Sequence, residues 1–111
     1  MTLVIAAPIE EIAEAIANAV APEKIILFGS QARNETTPDS DVDLLVIERE
    51  PFGANRSRRA ELHRIHEALW DFATPIDVLL YSLDEVAEWS DSLNHIIGQA
   101  MRDGKVVYER P

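Results

Sequence analysis

The run VDLLVIE, residues 42–48, sets the tightest limit on what this chain can fold into. Side chains alternate along an extended chain, and here Val42, Leu44 and Val46 fall on one face while Leu45 and Ile47 fall on the other. A strand that is apolar on both faces has to be covered on both. It therefore belongs in the interior of a sheet with other elements packed above and below it. The run KIILF, residues 24–28, reads the same way and is closed by Gly29.

The covering elements are visible nearby. In PIEEIAEAIANAVA, Ile9, Ile12, Ile16 and Val20 recur at helical spacing, with Pro8 suited to a first turn and Pro22 beyond the end. From Ser57 to Phe72 a second amphipathic helix is predicted, with Leu62, Ile65, Leu69 and Phe72 along its apolar face. PIDVLLYS, residues 75–82, is a third strand. A short helix from about Leu83 and a last one from Leu93 to Arg102, ended by Gly104, follow; KVVYE then forms an edge strand or a tail. Strands alternating with helices predict an α/β fold, a mixed β-sheet flanked by α-helices.

Composition narrows the function classes. At 111 residues, 47% of them hydrophobic, the chain is long enough for one domain, 1–111, with a core of its own. It has no cysteine, which removes disulfides, thiolate metal sites and thiol nucleophiles. The opening MTLVIAAPIEE lacks a basic n-region, and no run approaches a membrane span, so a cytoplasmic protein without membrane contact is expected. A formal net charge of −10 repels nucleic acid unless basic residues gather in one place. Arg56, Arg58, Arg59 and Arg64 are such a gathering; they form either a solvated helix start or a face toward phosphate or a partner.

Carboxylates supply the chemistry. Asp41 and Asp43 are two residues apart at the mouth of the 42–48 strand, so they point to one face. Ionised carboxylates beside an apolar core are costly unless a positive partner neutralises them. A pair of oxygen ligands at this spacing suits Mg²⁺, which is held by one or two carboxylates with substrate phosphates and waters. Asp77 opens the third strand. If that strand neighbours the second, three carboxylates share one end of the sheet, enough for two metal ions. Gly29 and Ser30 add the other half of a phosphate site: a strand ending in Gly-Ser and turning into SQAR exposes backbone N–H groups to phosphate oxygens.

Gly29-Ser30, ten intervening residues, then Asp41-Val42-Asp43 resembles the signature of the nucleotidyltransferase superfamily that includes DNA polymerase β. FGSQAR and SDVDLLV resemble its smallest branch, the minimal nucleotidyltransferase domains, and the closing VVYER resembles that branch's tail. The resemblance implies a polymerase β palm-like fold in which Asp41, Asp43 and Asp77 are the catalytic and metal-binding acids, carrying two Mg²⁺ ions. Gly29 and Ser30 would hold the outer phosphates of ATP, Arg33 would touch phosphate, and Ser40 would bond a phosphate or cap its loop. Asn34 departs from the glycine frequent in relatives, but tolerates a left-handed backbone.

The same resemblance implies a reaction and a partner: transfer of AMP from ATP to a hydroxyl, with Asp77 orienting or deprotonating the acceptor. Minimal nucleotidyltransferases are paired with HEPN toxins, whose tyrosine they adenylylate as antitoxins. Because 111 residues leave no room for an acceptor-binding domain, the acceptor is expected to be brought by that partner, in a homo- or hetero-oligomer. Two other functions fit the sequence: a non-catalytic binding antitoxin, and an adenylyltransferase acting on a small aminoglycoside-like alcohol. His63 and His66, a turn apart, read as helix-surface residues, and Trp70, Phe72 and Trp89 as core residues or partner anchors.

Overall fold

The computed structural model describes residues 8–29, 41–92 and 95–111. Along the chain these form α1 (Ile9–Val20), β1 (Lys24–Phe28), β2 (Val42–Glu48), α2 (Arg58–Ala68), β3 (Ile76–Ser82), α3 (Leu83–Trp89), α4 (Ile96–Asp103) and β4 (Lys105–Glu109). The four strands make one sheet in the order β3-β2-β1-β4. Strand β1 is antiparallel to both of its neighbours and β2 is parallel to β3, so the sheet is mixed. The two strands that read as apolar on both faces are the two interior ones. The KVVYE segment is an edge strand.

Alternation along the interior strands sends side chains to two separate cores. On one face Ile25, Leu27, Val42, Leu44 and Val46 meet Ile12, Ala13 and Ile16 of α1 and Ile65 of α2. On the other, Ile26, Leu45 and Ile47 meet Val86 of α3 and Ile97 and Ala100 of α4. Ile12, Ile16, Leu44, Leu45 and Ile97 are wholly inaccessible to solvent. Burying each such side chain stabilises the fold by about 1.5–3 kcal/mol, so the two layers are fixed chiefly by these contacts.

Helix ends follow local chemistry. Pro8 lies just before α1, its carbonyl accepting from the Ile12 N–H, and Ala21 closes the helix in a left-handed conformation ahead of Pro22. Ser57 caps α2 by accepting from the Ala60 N–H. That helix stops at Ala68, four residues short of the predicted Phe72, because the chain tightens into turns there, with the Phe72 N–H donating to the Leu69 carbonyl. Leu69 stays buried and Phe72 still packs on the core, so the apolar spacing was followed by the side chains although the helix had ended. Ser82 ends β3 and caps α3 at once: it accepts from the Glu85 N–H while the Glu85 carboxylate accepts from the Ser82 N–H. Helix α4 starts at Ile96, with the His95 Nδ1 accepting from the Ile97 N–H; the predicted start at Leu93 lies outside the described residues.

Arg58 ties the two helical layers together across the β3 edge. From α2 it donates to the Leu80 carbonyl of β3 at 2.6 Å and to the Glu85 carboxylate of α3 at 2.6 Å. The guanidinium thus occupies part of an edge that would otherwise offer unpaired backbone to another strand.

Candidate active site

The site lies where β1 ends and where β2 and β3 begin. Asp43 and Asp77 are register partners on adjacent parallel strands, so their Cα atoms stand abreast. Both belong to the row that continues through Leu45 and Leu79, on the α3 and α4 face of the sheet. Strand neighbours are roughly 4.8 Å apart, which brings the two carboxylates onto one small area. The Val42 N–H donates to the Pro75 carbonyl at 2.9 Å and locks the start of β2 to the residue before β3. Asp43 is half-buried, while Asp77 is exposed. Asp41 is exposed and immediately precedes β2, two residues from Asp43.

On the other side of Asp43 stands the end of β1. Phe28 is its register partner, and Gly29 follows with φ of +75°. A Cβ at Gly29 would run into the Asp43 carboxylate. Two independent demands, a left-handed backbone and a close approach to a side chain, therefore both call for glycine at this position. Ser30, Arg33 and Ser40, expected to bind the nucleotide, lie outside the described residues.

Two hollows meet at Asp43. The first, about 280 Å³, is bounded by Gly29, Asp43, Gln99 and Asp103 with Phe28 and Ile96. The second, about 490 Å³, extends past Asp43 to Asp77 and His66, with Phe28, Leu79 and Ile96 among its apolar walls. Gln99, Asp103 and His66 were not expected at the site. They come from α4 and α2, and no spacing in the sequence connects them to the aspartates.

Whether these residues suit a divalent cation can be judged from their geometry. Two abreast carboxylates repel one another and are relieved by a cation between them, and Mg²⁺ needs no more than one or two protein carboxylates when phosphates complete its shell. Asp43 and Asp77 meet that requirement. Among the described residues no cluster of three or more His, Asp or Glu side chains is gathered tightly enough to hold a metal by itself, so Asp41 is not drawn into one group with the other two.

The family model for the nucleotidyltransferase domain matches residues 9–105. The chain belongs to the nucleotidyltransferase domain family. That match spans all the elements from α1 to α4 and supports a transferase of the nucleotidyltransferase kind, a family that generally works on nucleoside triphosphates with divalent metal. Solved structures share the fold. A protein from Sulfolobus solfataricus described as a nucleotidyltransferase superposes with a TM-score of 0.60 over 91% of this chain and 77% of its own, at 18% identity. A toxin-antitoxin structure with AMP-PNP superposes with a TM-score of 0.56 over 92% of this chain and 73% of its own, at 19% identity. At those identities the likeness is one of fold. No curated protein matches the chain significantly.

The arginine gathering does not face this site. Arg56 pairs with Glu48 and Glu61 and donates to the Glu50 carbonyl, Arg58 pairs with Glu85, and both guanidinium groups stack on the Phe52 ring. Both are structural cations at the far end of β2 and at the β3 edge. Trp70 is 85% exposed and so is no part of the core, whereas Trp89 stacks on the His95 ring at 4.5 Å.

Glu48, at the far end of β2 from the aspartates, has a titration of its own. Burial, and next the neighbouring Glu61 carboxyl, push its carboxyl from 4.5 up to about 7, against the pull of Arg56. Its Oε2 is buried and lacks a hydrogen-bond partner among the described groups. Because the folded value lies above the unfolded one, the fold is favoured while Glu48 is protonated. The advantage is complete below about 4.5 and is lost as pH rises through about 7. Urea unfolding at several pH values should show wild-type stability declining over that window, while Glu48→Gln, neutral throughout, loses most of the decline. Parallel profiles for the two proteins would contradict this assignment.

Proposed function

We propose that this protein is a metal-dependent nucleotidyltransferase that moves AMP from ATP to a hydroxyl, a tyrosine of a partner HEPN toxin, and so acts as the antitoxin. The observation that carries the reading is the Asp43–Asp77 pair abreast at the sheet end, with Gly29 closed over Asp43, in a chain of this family. A likeness of fold to a toxin-antitoxin structure with AMP-PNP supports the nucleotide and the partner class. Among the described residues no helix is long and apolar enough to cross a membrane, in keeping with the cytoplasmic setting such a toxin pair implies.

Each residue then has a task. Gly29 and Ser30 would hold the outer phosphates by backbone N–H groups, Arg33 and Ser40 would add contacts, and Asp41, Asp43 and Asp77 would hold Mg²⁺. Held there, Mg²⁺ would supply neutralisation of charge on the triphosphate and a lower pKa for the acceptor hydroxyl. Asp77 takes the proton of that hydroxyl, whose oxygen bonds to the α-phosphorus as the bond from that phosphorus to the bridging oxygen of the β-phosphate breaks and pyrophosphate leaves.

One observation favours the non-catalytic binding antitoxin: Asp41 is not gathered with Asp43 and Asp77 into a three-carboxylate cluster. Incubation of the protein with α-labelled ATP, Mg²⁺ and a purified HEPN toxin separates the readings. Transfer predicts one AMP added to the partner and released pyrophosphate. Neutralisation of the partner without any label would replace the enzyme with the binding module.

A further inference from the structure

Resting on the transfer reading, the two hollows at Asp43 can be assigned to the two substrates. In-line displacement needs donor and acceptor on opposite sides of the phosphorus, which two hollows meeting at one carboxylate can provide. Asp43 borders both hollows. The smaller one contains Gly29, the start of the phosphate-binding turn, which leaves the larger one, beyond Asp77, for the acceptor.

The larger hollow is lined by apolar side chains, two carboxylates and His66. Carboxylates accept hydrogen bonds and apolar walls make none, so the only side-chain N–H donor among its described lining residues is His66. That residue sits in the last turn of α2 with its side chain exposed, and no hydrogen bond or ion pair within the described residues engages its ring. Its neighbour His63 is different: Nε2 lies 2.8 Å from Glu67.

We propose that His66 is a catalytic residue that contacts the acceptor, its imidazole N–H donating to the acceptor hydroxyl oxygen in the 490 Å³ hollow. The hydroxyl proton goes to Asp77. One lone pair accepts from His66, and the other is thereby aimed at the α-phosphorus. The histidine changes no bond itself; its hydrogen bond selects one orientation of the nucleophile from many.

The test is steady-state transfer of labelled AMP from ATP and Mg²⁺ to two acceptors, N-acetyl-tyrosinamide and a purified partner toxin. His66→Ala should raise the acceptor KM or lower kcat by about tenfold, the worth of one hydrogen bond, with the ATP KM within about twofold of wild type. His66→Gln, which retains a donor, should recover most of the loss, and His63→Ala should behave as wild type. Unaltered acceptor kinetics in His66→Ala, or a change in ATP KM alone, would overturn the role of His66 and leave the transfer reading standing. Absence of transfer by the wild-type protein to both acceptors would overturn the transfer reading and this inference together.

Discussion

Replacing Asp41 and Asp43 by Asn should leave a folded protein whose AMP transfer is lower by on the order of 100-fold or more. Asn keeps the shape of Asp and removes two negative charges, so packing at the start of β2 is preserved: Val42 and Leu44, the flanking residues that carry the core contacts, are untouched. Without nucleotide or metal, the double variant should melt cooperatively near the wild-type temperature, because the core residues on either side of the two positions are unchanged. Loss of transfer together with unfolding would point to a structural role for the aspartates. Loss of transfer with unchanged stability is the result the site geometry predicts, read from label incorporation and a thermal melt on the same preparation.

Gly29→Val should be the most damaging single change at the site. Valine is strained at φ of +75°, a cost of roughly 1–3 kcal/mol, and its Cβ would collide with the Asp43 carboxylate. Either the Asp43 carboxylate swings aside or the backbone shifts, and both disturb the place of Asp43 at the site. The expected result is a lower melting temperature and transfer reduced on the order of 100-fold, as expected when transition-state contacts are misplaced. Gly29→Ala should fall between the two proteins. A valine variant with wild-type stability and transfer would show that the turn adopts another conformation in the working enzyme.

Much of this arrangement was legible in the sequence. The interior strands were plain because Val42–Glu48 and Lys24–Phe28 are apolar on both faces, a pattern that helices and edge strands do not need. Asp41, Asp43 and Gly29 could be singled out because each interrupts or ends such a run. The Asp43–Asp77 pairing was conditional on the strand order, which depends on how α2 packs and is not encoded in any local spacing.

Long-range partners were illegible for the same reason. Arg56 and Arg58 look like a free basic face in sequence, yet Glu48 at the end of β2 and Glu61 of α2 engage the first, and Glu85 engages the second from 27 residues away. His66 reads as a helix-surface residue, and it is exposed; that it lines one hollow with Asp77 follows only from the packing of α2 against β3. Trp70 continues the apolar content of α2 but falls after Ala68, where the helix has ended and the side chain turns to solvent.

The central claim is that Asp43 and Asp77 act on nucleotide through a divalent cation, and thermal unfolding of the wild-type protein tests it most directly. A ligand that binds only the folded state stabilises it by about 2.7 kcal/mol at one hundred times its dissociation constant, a shift of roughly 10 °C for a chain of this length. ATP with Mg²⁺ at that excess should therefore raise the melting temperature by roughly 10 °C, ATP with a chelator should raise it far less, and the Asp41→Asn, Asp43→Asn variant should respond to neither. Equal shifts with Mg²⁺ and with chelator, or an undiminished Mg²⁺-dependent shift in the double variant, would contradict a cation site at these carboxylates.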